Sequence, residues 1–519
     1  MKRLPENGSC ASTCTGDRLL DRRVVARGGS SGGGASPDRQ SEAGEKGGLG
    51  VFVFACYCQV LPPSAHTIKS TASNFLLNWM FQYEHEYRQW SSAISLGLIS
   101  SCLHVTDHKQ KFQNITGLIE VLCGSKSTLV KGACGVGLGF SCQDLLTRVE
   151  AASSNELDRD DYKIREFALL GKVVRTLLLM TSKLSQASCD ILEGLSSYFP
   201  PGIGDLEPNM TSELFPEKHD DLEEDIWGVA GLVLGLGSSV SAIYRAGAHD
   251  VVLKIKDLIL SWTPHFDTLV INSGFSSEAT DKVLSVGSCL VLPVVVAFCQ
   301  RVELMNGNEL DHLITGYTEL ISELQSVKKS GAIHQSLLMA SCIGAGSLLS
   351  CILNEAVHPI KVERIKGLLE TFRKCYSNPY PALVHMGGML GVINAMGANA
   401  GIFIHNYHFP SPVRTGYEQK DSSYVLGPLF SSPICESHLT ALIQEIFLVA
   451  QNSDDLQMKH IAAWAVSFLR NFLWSKELLD VDNGIQTDVA NSKTVSRSFS
   501  NDSLVMKLSL WLMHLHYSA

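Results

Sequence analysis

The chain has 519 residues, a net charge of −10, 45% hydrophobic residues and only 18% charged ones. Soluble domains carry about 25% charged residues, so much of this chain must be buried against itself. The acidic balance, with no cluster of Lys and Arg interleaved with aromatics, excludes direct nucleic-acid binding as a main activity. At about 150 residues per domain the length points to three or four domains, unless the chain is a repeat array that evades that count. The fifteen cysteines are odd in number and scattered. Many lie in apolar runs (Cys289, Cys299, Cys342, Cys351), where a reduced cysteine behaves as a small hydrophobe.

In chain order, residues 1 to about 48 are rich in Gly, Ser and Arg and cannot bury enough surface to offset chain entropy. They contain no signal-peptide apolar core. Arg18, Arg22, Arg23 and Arg27 resemble a transit peptide, but Glu6, Asp17, Asp21 and Asp38 argue against one, so a cytoplasmic location is expected. The apolar run Val51 to Leu61 is too short to span a bilayer. Residues 1–61 are therefore read as a disordered, atypical segment, 62–480 as a helical-repeat domain, and 481–519 as a polar linker with a short terminal helix at Leu504 to Leu515.

From about Ser64 one pattern recurs: an amphipathic helix, a short polar break, then a helix rich in Gly, Ala, Ser and Cys that is apolar nearly all round. Five units show it. The first has Phe112, Ile115, Leu118, Ile119 and Leu122 at helical spacing, then GSKS, then TLVKGACGVGLGFSCQDLL. The second runs from Val251, Ile255, Leu258, Ile259 and Trp262 to VLSVGSCLVLPVVVAFCQ. In the third, Leu310, Leu313, Ile314, Tyr317, Ile321 and Leu324 share a face, KKSG breaks the helix and LLMASCIGAGSLLSCIL follows. The fourth pairs Val362, Ile365, Leu369 and Phe372 with an apolar helix entered at Pro381. The fifth has Leu439, Leu442, Ile443, Ile446 and Phe447, then NSDD, with Asp454 or Asp455 as the cap of the next helix. No segment alternates at a period of two, so the fold class expected is all-α: an ARM/HEAT-like α-solenoid of degenerate antiparallel helix pairs.

Glycine inside a helix costs about 1 kcal/mol relative to Ala, so glycines in the apolar helices imply close contact with neighbours. Gly137, Gly235, Gly237, Gly344 and Gly391 are the candidate packing positions, with Gly228 and Gly231 in the same run as Gly235. Two long breaks interrupt the array, at 200–225 and 403–435, both containing several prolines. The first ends in an acidic run, and Asp220, Asp221, Glu223, Glu224 and Asp225 are its candidate contacts for a basic partner surface.

Catalytic signatures are absent. Neither GACGVGLGF nor GVAGLVLGLG has the G-x-G-x-x-G spacing, and Gly124-Ser125-Lys126-Ser127 lacks the Gly-Lys of a P-loop. His85 and Glu86 begin a zinc-protease motif, but position 89 is Gln where the second ligand belongs. His104, Asp107 and His108, like His405 and His408, are too few to make a metal site. No G-x-S-x-G between an expected strand and helix, no C-x-x-C pair and no carboxylate dyad occurs, so no catalytic residue, cofactor or metal is expected. The sequons at Asn114 and Asn209 would matter only in a secreted protein. The competing reading is a polytopic or membrane-associated protein, because Trp227 to Tyr244, Val283 to Gln300 and Ala382 to Val413 lack charges. Their density of Gly, Ser, Cys and Asn favours helix packing over lipid contact.

The strings WSSAISLGLISSCLHVTDHKQKF, KGACGVGLGFSCQDLLTR and WGVAGLVLGLGSSVSAIYRAGA resemble the C-terminal region of the family of plant Resurrection proteins and animal focadhesin. The likeness covers roughly residues 62 to 510. It implies an ARM/HEAT-like cytosolic scaffold, with no active-site residues, that links the cytosolic RNA exosome to the Ski complex in RNA turnover, with plant links to cuticular wax and embryo development. Members of that family are much longer, which implies that this chain spans only part of their length.

Overall fold

A computed structural model describes residues between 55 and 469 with several breaks, the longest at 200–225, 265–279 and 396–423. All described residues fall in one compact unit, residues 48–519. They are dominated by helices: α1 (His66–Met80), α2 (Glu86–Ser100), α3 (His108–Gly124), α4 (Thr128–Cys142), α5 (Glu156–Ser182), α6 (Gln186–Leu195), α7 (Ile226–Ser238) and α8 (Val240–Arg245). There follow α9 (His249–Ser261), α10 (Thr280–Arg301), α11 (Gly307–Ser326), α12 (Ala332–Asn354), α13 (Val362–Ser377), α14 (Ala382–Ala395), α15 (Pro433–Asn452) and α16 (Leu456–Val466). Strand among the described residues is confined to β1 (Ile360–Lys361), paired antiparallel with β2 (Tyr424–Val425).

The helices sort into two rows. The inner row is α2, α4, α7, α10, α12, α14 and α16, each packed on the next in chain order. Against it lie α1, α3, α5, α9, α11, α13 and α15, each paired with one inner helix. Sequence patterning explains the division. In α13, Val362, Ile365, Leu368, Leu369 and Phe372 are buried while Glu363, Arg364, Gly367 and Arg373 are exposed, one apolar stripe on an otherwise polar helix. In α7 every residue except Trp227 and Leu234 is buried, as expected of a helix enclosed by neighbours. The five units of the sequence reading correspond to α3/α4, α9/α10, α11/α12, α13/α14 and α15/α16. The structure adds α1/α2, and gives α7 an outer partner in α5.

The inner helices α4 and α7 run in the same direction, and the glycines show it. Methyl groups at Gly132 and Gly139 would collide with the backbone at Gly228 and Gly235 respectively, and one at Gly135 would come within 3.0 Å of Gly231 and Leu232. The same spacing, G-x-x-G-x-x-x-G, is present on both helices, so their backbones meet in register.

Two helix starts among the described residues are capped by side chains. Val130 N–H donates to Ser127 Oγ at 3.2 Å, capping α4. Asp455, of the two candidates, caps α16 by accepting from Gln457 N–H (2.9 Å) and Met458 N–H (3.3 Å). Pro381 stands just before α14 rather than in its first turn, and its carbonyl accepts from Val384 and His385 N–H. The break expected at 403–435 overlaps α15, which starts at Pro433, a residue whose fixed φ suits a first helical turn.

Pro293 lies inside α10. Proline has no N–H, so the carbonyl four residues earlier loses its helical partner. That carbonyl belongs to Cys289, and the buried Tyr317 hydroxyl of α11 donates to it at 2.8 Å. Gly344 of α12 packs on the same carbonyl, where any side chain would collide. A backbone defect in the inner row is thus repaired by a phenol from the outer row. Burial pushes the Tyr317 pKa well above that of an ordinary phenol, which keeps it a donor.

Candidate protein-binding surface

The acidic candidates Asp220, Asp221, Glu223, Glu224 and Asp225 lie outside the described residues, as do His104, His405, His408 and Asn209. The glycine candidates lie on inner helices. A Cβ at Gly137 would sit 2.5 Å from the Ala93 carbonyl of α2, and at Gly391 2.9 Å from the Cys342 carbonyl of α12. Side chains at Gly235, Gly237 and Gly344 would collide with Gly135, with Val291 and with Cys289. These positions have no room for a ligand.

Several charged and polar groups of the interior are committed to structure. Lys111 of α3, 2% exposed, donates to Asp144 Oδ2 at 2.7 Å and lies 3.6 Å from Glu166 Oε1 of α5. Glu166 accepts in addition from Tyr162 Oη and from Leu146 N–H, each at 2.7 Å. Leu146 itself has φ +62°, the left-handed turn that ends many helices. From α8, Arg245 donates to the carbonyls of Leu145 (2.9 Å), Gln143 (2.9 Å) and Cys142 (3.3 Å). The end of α4 is therefore held by a buried cation on one side and a guanidinium on the other. Sequence reading missed this hub, because nothing in the pattern around Lys111 distinguishes it from a solvated lysine.

Other sequence candidates resolve into packing roles. Gln89, where a zinc ligand would be needed, donates to the Met80 carbonyl at 2.8 Å and closes the end of α1. His108 packs edge-on against Tyr162. Asn114 is fully buried and donates to Ser73 Oγ (3.1 Å) and Ser100 Oγ (2.9 Å), so its sequon is inaccessible in the folded chain. No cluster of three or more His, Cys, Asp or Glu able to hold a metal occurs among the described residues. Burial raises the thiol pKa of Cys123 to about 11 and of Cys142 and Cys289 to about 12, which removes the thiolate needed for nucleophilic chemistry.

What the fold offers to partners is surface. An open groove of about 660 Å³ lies between α1 and α3, lined by Leu77, Phe81 and Phe112 with Asn74, Gln113 and Glu120 at its edges. The exposed tryptophans among the described residues, Trp90, Trp227 and Trp464, all sit on inner-row helices, joined by Tyr87 on α2. Trp and Tyr are the side chains most enriched at binding hot spots.

Three stretches among the described residues, Ile226–Arg245, Val283–Arg301 and Ala332–Leu353, are long and apolar enough to cross a membrane by length and composition, and 89% of an 18-residue apolar window in each is buried inside the protein. The uncharged run from Ala382 is helical to Ala395, and its remainder lies outside the described residues. No protein-family model matches the chain, and no curated protein matches it.

Proposed function

We propose that this chain is a non-enzymatic protein-binding scaffold built as an ARM/HEAT-like α-solenoid. The observation that carries the reading is the order of packing: each inner helix touches the one before and the one after it in the sequence. Such quasi-one-dimensional arrays present extended surfaces in proportion to their length, and those surfaces are what they use to hold partners. The exposed Trp90, Trp227 and Trp464 and the α1–α3 groove supply contact chemistry, and the acidic run from Asp220 to Asp225 suits a basic partner. By the family resemblance, the partners are subunits of the cytosolic RNA exosome and of the Ski complex, and the chain acts between them without binding RNA strongly itself. Its net charge of −10 disfavours phosphate contact.

The test is purification of a tagged chain from cytosol with nuclease treatment before elution. Recovery of exosome or Ski subunits that survives the nuclease supports the adaptor reading. Tight RNA binding by the isolated protein at physiological salt, or repeated purification without either complex, overturns it. A second reading, a membrane-associated protein, draws on the three long apolar stretches. Their burial against neighbouring protein helices makes the soluble scaffold the better account.

A further inference from the structure

Cys342 on α12 and Cys375 on α13 are fully buried, and their Sγ atoms lie 3.7 Å apart. They belong to different helix pairs, α11/α12 and α13/α14. A third element attends them: Gln325, near the end of α11, donates its amide to Cys375 Sγ at 3.0 Å and to the Thr371 carbonyl at 2.8 Å. We propose that Cys342 and Cys375 form a reversible disulfide that fastens one helix pair of the array to the next, with Cys375 as the sulfur that reacts first and Gln325 as its positioning residue.

A disulfide has an S–S distance of about 2.0 Å, so the two sulfurs need to close by less than about 2 Å. The two helix pairs that carry them are packed together, α11 on α13 and α12 on α14. The hydrogen bond shared with the Cys342 thiol, with that donated by the Gln325 amide, holds the Cys375 pKa below that of a free thiol, against the effect of burial. Burial raises that of Cys342. The Gln325 amide that donates to Cys375 assigns it the leading role, and this asymmetry agrees with that placement. Cys375 is in the last turn of α13 beside the half-buried Gln325, the side from which a small oxidant reaches it when the turn opens.

With hydrogen peroxide as oxidant the step balances. The Cys375 thiolate attacks one peroxide oxygen, the O–O bond breaks, and the leaving hydroxide takes a proton to become water, giving a sulfenic acid. The Cys342 sulfur then attacks the Cys375 sulfur, the S–O bond breaks, and the departing hydroxide takes the Cys342 proton as a second water. Two thiols and one peroxide become one disulfide and two waters.

The experiment uses the full chain in its folded state. It is treated with hydrogen peroxide, its remaining thiols are alkylated under denaturing conditions, and it is mapped by mass spectrometry without reduction. The expected result is a linked pair of peptides carrying Cys342 and Cys375, two hydrogens lighter than their sum and separated by dithiothreitol. In Cys342→Ser the sulfenic acid at Cys375 should persist and be captured by dimedone. Gln325→Leu should slow formation of the bond several-fold without changing its partners. Recovery of both cysteines as separately alkylated peptides from the treated wild-type chain would overturn the proposal. So would a linkage of Cys375 to Cys289 or to any other cysteine. The wild-type map needs no variant to fold.

Discussion

The contact of α4 with α7 and that of α10 with α12 solve one problem, bringing two inner helices close, by opposite means. Between α4 and α7 the side chains are removed: Gly132, Gly135 and Gly139 face Gly228, Gly231 and Gly235, and backbone packs on backbone. Between α10 and α12 the backbone is incomplete, because Pro293 leaves the Cys289 carbonyl unpaired in its helix. There a side chain has to be added, and Tyr317 reaches in from the outer row. Glycine on both faces brings helices together only where each helix satisfies its own hydrogen bonds. Where one does not, the closeness depends on a third element.

Substitutions should separate these cases by size and sign. The largest effect is expected beside the glycine contact, at the buried charges that hold the end of α4. Lys111→Met leaves Asp144 and Glu166 without their cation and should cost about 3 to 5 kcal/mol, read as a loss of thermal stability. Gly235→Leu drives a side chain into the Gly135 backbone and should cost about 3 kcal/mol by overpacking. An unchanged melting temperature would mean that α4 and α7 do not meet there. Tyr317→Phe keeps the packing but orphans the Cys289 carbonyl, for about 1 to 3 kcal/mol. The same change in a Pro293→Ala background should cost less, since Ala restores the helical N–H. Equal costs in both backgrounds would sever the link between Pro293 and Tyr317. The smallest change should reverse sign. Gly367 on α13 has open space where a methyl would go, so Gly367→Ala should stabilise the fold by up to about 1 kcal/mol in a denaturant titration.

The helical class and the five helix pairs were legible because amphipathic outer helices carry a strong 3.6-residue period and the apolar inner helices carry almost no charge. The cap of α16 was legible to within one residue, as Asp454 or Asp455, because Asp before an apolar run is a local helix-start signal, and the structure selects Asp455. The pairs α1/α2 and α5/α7 were harder to read. The charged first half of α5 hides its apolar second half, and residues 200–225 separate it from α7. Long-range partnerships left no local trace at all. Lys111 reaches Asp144 and Glu166 across 33 and 55 positions, and Cys342 faces Cys375 across 33; these depend on which helices stack. Pro293 did carry a signal, since a proline in a helical run frees a carbonyl whose partner must be sought. The candidate acidic contacts from Asp220 to Asp225 fall outside the described residues, so the site remains an expectation of charge.

The central claim is that the long apolar helices are apolar for one another and not for lipid. Alkaline carbonate extraction of cells expressing the chain tests it most directly. The protein is expected in the supernatant, because an 18-residue apolar window in each of Ile226–Arg245, Val283–Arg301 and Ala332–Leu353 is 89% buried within the fold. Retention in the pellet with integral membrane proteins would contradict it.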